Sequence, residues 1–403
     1  MFTPKETADV VIVGGGVIGL TIARALRQRG IREVVLIERG QLGAEASWAA
    51  GGILGPQIES DRADDFFQLA CASRDLYPAF ANALYEESGT DVELDATGTL
   101  YLAFTEEEEL EIRHRYDWQT KAGLAVELLS AGEAPSLEPC VSSTVRGALL
   151  FPRDVQVENR KLVEALAIAN EKLGARVVTD CEVHAVRVEQ EKVCAVETSI
   201  GRVSAPIVVL AAGAWTSLIN SPDASLPGIG MEPVRGQMLC FAARSPLARH
   251  VLYTSRGYLV PRRDGRVLAG STAERVGFER SVTGEGMNAI KTMALEIAPT
   301  VAGLPLVGSW AGFRPRAADG LPVLGACEGV EGLFYATGHY RNGILLAPVT
   351  GELVAKAIVE GETPPLLKAF SPDRFRSSSE MYYSPARKVR AKAQNKTEAA
   401  KED

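Results

Sequence analysis

Clusters of metal-binding or disulfide-forming residues are missing from this sequence. Its six cysteines are widely spaced and form no C-x-x-C pair, which indicates reduced, mostly buried thiols. Its four histidines have no metal-ligand spacing. The run of glutamates from Glu106 to Glu109 fits a solvated helix face better than a metal site. We therefore predict neither a disulfide framework nor a metal cofactor.

Long apolar runs and excess positive charge are also missing. No apolar stretch reaches the length needed to span a bilayer. The net charge of −8 gives no electrostatic attraction to nucleic acid or to anionic membranes. Residues 1–8 are too few and too polar for a secretory signal. We therefore expect a cytoplasmic protein with no transmembrane segment and no nucleic-acid partner.

The chain opens with a strand, a glycine-rich turn and a helix. Val10 to Val13 is an apolar, β-branched run typical of a buried parallel strand. It leads into a G-x-G-x-x-G motif formed by Gly14, Gly16 and Gly19. The first glycine permits a tight turn, the second lets the backbone approach a pyrophosphate, and the third lets helix and strand pack closely. The helix N-terminus then offers N–H groups and a positive partial charge to phosphates.

An acidic residue ends the second strand of this pattern. Val34 to Ile37 is again apolar, and Glu38 at its tip can accept hydrogen bonds from ribose hydroxyls. A carboxylate at this point would repel a ribose 2′-phosphate. The residues therefore predict a bound dinucleotide and leave FAD and NAD as alternatives.

A stretch of small residues follows, with little side-chain volume. Ser47 is followed by Ala49, Ala50, Gly51 and Gly52. One interpretation is a helix N-terminus capped by Ser47 with a glycine-rich exit. The other is backbone that lies flat against a large planar ligand, with Ser47 donating to a phosphate. We favour the second because the stretch directly follows a dinucleotide half-site.

The order of elements predicts a two-domain α/β protein in which the chain enters each domain more than once. We expect a Rossmann-like dinucleotide-binding domain and a discontinuous substrate domain built on an antiparallel sheet. The first would comprise residues 1–87, 147–218 and 314–375, the second 88–146 and 219–313, and 376–403 would be a disordered tail. Locally, we expect a helix over 61–88 and a helix whose first turn contains Pro348.

Several longer motifs resemble a known family. ADVVIVGGGVIG, ASWAAGGIL, IVVLAAGAW, GFRPRAADGLPVLG and GHYRNGILLAPVTGELVA together are similar to the FAD-dependent amine oxidases of the D-amino-acid oxidase group, and within it to members of the thiazole pathway. The similarity extends from about residue 8 to residue 375. It implies FAD as the cofactor.

The resemblance also implies a reaction. Glycine, or another small amine or D-amino acid, would lose a hydride from its α-carbon to flavin N5, and the imine would hydrolyse to an oxo acid and ammonia. O₂ would reoxidise the flavin and yield hydrogen peroxide. Two alternatives stay open at this point: a dehydrogenase that passes electrons to a quinone or a protein, and a flavin-binding module without catalysis.

By resemblance, three residues would act on the substrate. Arg314 would grip its carboxylate, since a guanidinium fork matches that group, and Tyr258 would share the same carboxylate. Arg341 matches a family arginine beside the substrate. Tyr253 would form a wall of the pocket, although either tyrosine could equally be part of the ordinary core.

The resemblance further assigns cofactor contacts late in the chain. A loop over the pyrimidine end of the flavin would stabilise negative charge on the reduced ring. It comprises Gly338, His339, Arg341, Asn342, Gly343, Ile344 and Leu345. Val183 would contact the adenine, and Gly213 and Trp215 would lie near the flavin.

Two positions depart from the family pattern. Ala273 replaces a methionine that lines the pocket, and Arg256 replaces a histidine near Tyr258. They predict a substrate preference that extends beyond glycine. Some relatives attach their flavin through a cysteine in the region of residues 314–318, where this chain has none, so we predict non-covalent FAD. The family also implies a homo-oligomer.

Overall fold

A computed structural model describes residues 6–378. The strands are β1 (Glu6–Thr7), β2 (Val10–Val13), β3 (Val34–Ile37), β4 (Ile53–Leu54), β5 (Thr99–Ala103), β6 (Glu127–Ser130), β7 (Gly147–Phe151), β8 (Val155–Gln156), β9 (Arg176–Val178), β10 (Val183–Glu189), β11 (Lys192–Thr198), β12 (Gly201–Ser204), β13 (Ile207–Leu210), β14 (Glu232–Ala242), β15 (Val251–Thr254), β16 (Gly257–Pro261), β17 (Arg266–Gly270), β18 (Leu306–Arg316), β19 (Val323–Ala326) and β20 (Leu333–Thr337).

The α-helices alternate with these strands in the first half of the chain and become sparse in the second. They are α1 (Val17–Gln28), α2 (Ala46–Ala49), α3 (Pro56–Glu59), α4 (Asp65–Ser88), α5 (Glu106–Lys121), α6 (Glu133–Leu137), α7 (Asn159–Lys172), α8 (Gly284–Ile297) and α9 (Gly343–Glu360). Short 3₁₀ helices span Gly213–Leu218, Pro299–Gly303, Pro365–Phe370 and Pro372–Ser378. Among residues 6–378, no helix is both long and apolar enough to cross a bilayer.

The glycine motif belongs to a six-stranded sheet in the order β19-β20-β13-β2-β3-β9. All neighbouring strands are parallel except the β19–β20 pair at one edge. The residues of β2 and β3 are fully buried, as their continuous apolar runs predict. Helices α1, α4, α7 and α9 pack together against one face of this sheet. The predicted Rossmann-like unit is therefore present.

A second, eight-stranded sheet has the order β18-β14-β17-β16-β15-β5-β7-β6. Its strands are antiparallel except at β15–β5, where two segments distant in sequence run parallel. The predicted domain boundary at residue 147 assigns β7 to the dinucleotide-binding domain, whereas β7 pairs with β5 and β6 of this sheet. Smaller sheets are formed by β1-β12-β11-β10 and by β4-β8.

Helix α9 differs from its prediction. It begins at Gly343, so Pro348 lies in its interior and not in its first turn. A proline there removes one N–H and would leave the carbonyl of residue 344 without its helical partner. The Tyr77 hydroxyl of α4 donates to that carbonyl. Ser73 donates to the next carbonyl at 2.6 Å and accepts from the Val349 N–H at 3.3 Å, so α4 completes the interrupted ladder.

The region from 56 to 88 also differs from its prediction. The expected single helix over 61–88 is preceded by a separate turn, α3, and α4 starts only after Asp64. The Asp64 carboxylate accepts from the Phe67 N–H at 3.0 Å and so caps α4. Residues 376–378 complete the last 3₁₀ helix, and residues 379–403 of the predicted tail lie outside the described residues.

Candidate active site

A cavity of about 410 Å³ lies between the two large sheets. One end is bordered by Glu38 and Val183, and the other by Tyr258 and Arg314. Most of the predicted site residues line it. They are Gly14, Gly16, Glu38, Ser47, Ala49, Ala50, Gly51, Gly52, Val183, Gly213, Trp215, Tyr258, Arg314, His339, Arg341, Asn342, Gly343 and Ile344.

The glycine-rich turn has no room for side chains. A Cβ on Gly14 would lie 2.4 Å from the carbonyl oxygen of Ala211, which directly follows β13. The φ angle of Gly14 is +113°. A Cβ on Gly19 would lie 2.0 Å from the Gly14 oxygen. Gly19 therefore does not reach the cavity, but it lets α1 approach the turn closely. Ser47 accepts from the Val17 N–H at 3.0 Å, which leaves its own proton to donate toward the cavity.

Glu38 organises the same turn from the neighbouring strand. Its buried carboxylate accepts from the Gly15 N–H at 2.7 Å and from the Gly40 N–H at 2.9 Å. Each carboxylate oxygen can accept further hydrogen bonds, so ribose hydroxyls fit beside these contacts. The acidic residue thus fixes the turn and also faces the cavity.

The small-residue stretch presents its backbone to the cavity because donors on the far side hold its carbonyls. Asn159 donates to the carbonyls of residues 47 and 48, at 2.7 and 3.1 Å. Trp310 donates to residue 49 at 3.1 Å, and Arg262 to residue 51 at 2.9 Å. Sequence analysis did not identify these three donors. They come from elements far apart in the chain, and no local pattern marks them.

The loop before α9 contributes the N-terminus of that helix to the cavity. Gly343 begins α9 and lines the cavity with Asn342, whereas Gly338 and Leu345 support the loop from outside the lining. His339 is buried, and its Nε2 lies 3.1 Å from the Thr350 hydroxyl. Burial lowers the His339 pKa to about 3, so this ring is neutral at physiological pH.

Trp215 lies on the cavity wall within a cluster of aromatic and cationic groups. The Arg39 guanidinium lies 3.6 Å from the centre of its ring, and Phe278 stacks on it at 5.1 Å. Phe313 meets it edge-on at 6.0 Å. Phe278, which follows β17 in the chain, therefore packs against a residue of the cavity wall.

Arg314 lies at the opposite end, on β18. Its guanidinium donates to the Thr272 carbonyl at 3.0 Å and to the Ser271 hydroxyl at 2.5 Å. Both partners are neutral, and within residues 6–378 no carboxylate forms an ion pair with it. Partial burial lowers the Arg314 pKa from its ordinary value, because it disfavours the charged form. Gly236 makes room for this side chain, since a Cβ there would lie 2.4 Å from a guanidinium nitrogen.

Arg341 has a different environment, dominated by Glu59 of α3. Its Nε donates to the Glu59 carboxylate at 3.0 Å, and it also donates to the Tyr253 hydroxyl at 2.7 Å. Tyr253 in turn donates to Glu59 at 2.8 Å. Burial acts to raise the Glu59 pKa, but the Arg341 charge and the two hydrogen bonds outweigh it and hold that pKa below its usual value. Sequence analysis did not identify Glu59.

The predicted tyrosines form part of a stack. Tyr258 and Tyr253 have ring centres 5.7 Å apart, and Tyr101 of β5 continues the stack at 5.7 Å on the other side. The Tyr258 hydroxyl lies 3.4 Å from Ser271, which also contacts Arg314. Tyr258 lines the cavity. Tyr253 does not line it, but hydrogen-bonds to Arg341 and Glu59, which do.

Two predicted pocket residues lie elsewhere. Ala273 is exposed beyond the end of β17 and does not line the cavity. Arg256 lies in the turn between β15 and β16, where it forms an ion pair with Glu296 of α8. Neither residue lines the cavity, so the geometry gives no support to the predicted effect on substrate preference.

These features together define a dinucleotide-binding flavoenzyme fold whose cavity has arginines at its other end. The turn that a Cβ would fill, the acid at the strand tip and the flat backbone of residues 47–52 fit the pyrophosphate, the ribose and the planar ring of FAD. A family model described as FAD dependent oxidoreductase matches residues 9–357. The chain belongs to this family, and its cofactor is FAD.

Relatives with known names are similar over nearly the whole chain. Glycine oxidase of Geobacillus kaustophilus is 38% identical over 365 residues, which cover 90% of this chain and 96% of that protein. The crystal structure of glycine oxidase from the same organism has a TM-score of 0.86 and 36% identity, and covers 91% of this chain and 98% of the other.

A longer relative has a further region. The protein named bifunctional ThiO/ThiG of Trichormus variabilis is 35% identical over 378 residues, which cover 93% of this chain but only 56% of that protein. This chain therefore matches about half of the longer protein.

Proposed function

We propose that this protein oxidises glycine, or a closely related small amino acid, at its α-carbon. The carboxylate would bind Arg314 and the Tyr258 hydroxyl, which would fix the orientation of the α-carbon. Bound FAD supplies hydride acceptance at N5. The product imine would hydrolyse to an oxo acid and ammonia, and O₂ would accept the electrons and form hydrogen peroxide.

The proposal rests on one observation above all: Arg314 faces the cavity without an anionic partner in the described chain. A guanidinium removed from water is costly unless an anion pairs with it. Its neutral contacts with Ser271 and Thr272 orient the fork, and the Glu59 carboxylate attracts its charge without forming an ion pair with it. A substrate carboxylate would supply the missing charge through two parallel hydrogen bonds.

The residues of this chain would orient the substrate without a side-chain base. Glu59 is held ionised by Arg341 and is a poor proton acceptor, and His339 is buried and neutral. An amine that binds unprotonated needs no further base, because the hydride leaves directly from carbon. Positioning would then account for most of the rate enhancement.

The named relatives support the substrate class. The proteins named glycine oxidase have 32–38% identity to this chain over most of its length. The relatives named ThiO/ThiG support a role in thiamine biosynthesis. We also propose that the enzyme is a cytoplasmic homo-oligomer, which light scattering and cell fractionation would test.

The visible spectrum of the purified protein tests the proposal. Under anaerobic conditions glycine should bleach the flavin absorbance band, and admission of air should restore it with one peroxide per turnover. Bleaching by sarcosine or D-alanine but not by glycine would keep the mechanism and change the substrate. Fast dye reduction with negligible peroxide would replace O₂ by another acceptor. A flavin that no amine reduces would refute the proposal.

A further inference from the structure

A buried polar network surrounds the turn that carries Glu59, on the side away from the cavity. Helix α3 is a single turn, and its last carbonyl groups have no partners within the helix. Side chains of α4, α5 and the segment before β8 surround it. They are Arg74, Arg115, Gln119 and Asp154, and all four are buried.

The Arg115 side chain of α5 donates to carbonyls of this turn that have no partner within α3. Its guanidinium donates to the carbonyls of residues 58 and 60, at 3.2 and 2.9 Å. A second nitrogen donates to Asp61 at 2.7 Å and to Glu111 at 3.1 Å. A cation at the C-terminal end of a helical turn also complements its partial negative charge. Residue 59 lies between two backbone groups that Arg115 holds.

The other members of the network fix the start of the same turn. Asp154 accepts from the Ile58 N–H at 2.9 Å, and Gln119 donates to the Gln57 carbonyl at 2.9 Å. Arg74 contacts both the Gln57 side chain and Asp154, at 3.2 and 3.4 Å. The backbone on each side of Glu59 is therefore anchored by buried side chains.

Arg115 also touches the tyrosine stack. Its guanidinium lies 5.3 Å from the centre of the Tyr101 ring, and Tyr101 stacks on Tyr253. Tyr253 donates to Glu59 and accepts from Arg341. Arg115 thus contacts two separate supports of the same carboxylate: the backbone of α3 and the aromatic stack.

We infer that Arg115 is a positioning residue for substrate binding. It acts by holding the Glu59 carboxylate, and through it the Arg341 guanidinium, at the wall of the substrate pocket. The inference rests on the proposed oxidation of an amino acid in this cavity. It assigns Arg115 no contact with substrate or FAD, so its loss should weaken binding of the amino acid and leave flavin binding unchanged.

The test compares Arg115→Met with Arg113→Met on the same helix. Methionine retains most of the apolar stem and removes every donor, while Arg113 is exposed and pairs with Glu109. We expect R115M to raise KM for the reactive amino acid about tenfold, with kcat within about twofold and normal flavin content. Acetate should perturb the spectrum of the bound flavin with a Kd raised about as much. R113M should match the wild type in each measurement.

A double-mutant cycle separates positioning from a general structural role. In a Glu59→Gln background, R115M should raise KM less than twofold further, because the group that it positions is already altered. A tenfold increase in both backgrounds would overturn the inference, as would an unchanged KM in R115M alone. If R115M does not fold, Arg115→Lys, which keeps the charge but cannot reach both carbonyls, should show a smaller increase and the same non-additivity. A wild-type enzyme that no amino acid reduces would instead refute the proposed function.

Discussion

Replacement of Arg314 by methionine should raise KM for the amino acid while FAD stays bound. Truncation of one partner of a buried, hydrogen-bonded charge pair costs about 2–5 kcal/mol. The lower part of that range applies here, because Arg314 is only half-buried and two neutral groups share its donors. A loss of about 2–3 kcal/mol corresponds to an increase in KM of about 30- to 150-fold.

The assay combines initial rates with anaerobic flavin reduction over a range of substrate concentrations. Flavin content and the FAD dissociation constant should equal those of the wild type. Arg316→Met is the matched control, because Arg316 lies two residues further along β18 and its side chain donates to the carbonyls of residues 317 and 318. Equal KM values for wild type and R314M would remove Arg314 from the proposed role.

A substitution on β14, the strand that pairs with β18, tests the same role of Arg314. Gly236→Ala would place a methyl group 2.4 Å from the Arg314 guanidinium in its present position, so the side chain must move. We expect this variant to raise KM in the same direction as R314M. Gly308→Ala, whose methyl group would meet no atom closer than 3.7 Å, should leave KM unchanged. Normal KM in the Gly236 variant would show that the position of the guanidinium is unimportant.

Three further predictions concern the cofactor and stability. Gly19→Ala should abolish flavin retention, because its Cβ would lie 2.0 Å from a backbone oxygen; the flavin absorbance of the purified protein reports this. Tyr77→Phe should lower the free energy of unfolding by about 1–3 kcal/mol in urea titrations, since a buried carbonyl loses its donor, whereas the exposed Tyr85→Phe should not. Burial lowers the His339 pKa to about 3, below that of the unfolded chain. The free energy of unfolding should therefore fall as pH decreases from about 6.5 toward 3, by up to about 1.4 kcal/mol per pH unit. The His339→Gln variant should show a flatter slope. An unchanged slope in the glutamine variant would contradict the assignment.

The parts of the fold that sequence predicted are those set by local physics. The apolar strands, the glycine turn and the acid at the tip of β3 depend on near neighbours, so their spacing is readable. The interior position of Pro348 is not, because this helix continues through the proline with donors that another element supplies. Here those donors come from Ser73 and Tyr77, more than 260 residues away in sequence.

The same distinction applies to the cavity. Arg314 was predicted through a family motif, and its neutral hydrogen-bond partners became visible only in three dimensions. Glu59 has no local signal, since its importance derives from Arg341 and Tyr253, which approach it from distant segments. Ala273 and Arg256 were predicted by position alone. Neither lies in the lining of the cavity: Ala273 is exposed beyond β17, and Arg256 pairs with Glu296 of α8.

The parallel β15–β5 pair has a consequence for engineering this enzyme. It joins two chain segments through the pairs Val251–Thr99, Leu252–Leu100 and Tyr253–Tyr101, and the last pair also forms part of the tyrosine stack. Exchange of only one segment with a relative would combine strands that were selected with different partners. Chimaeras designed to change substrate preference should therefore transfer residues 99–103 and 251–261 together, as a single unit of recombination.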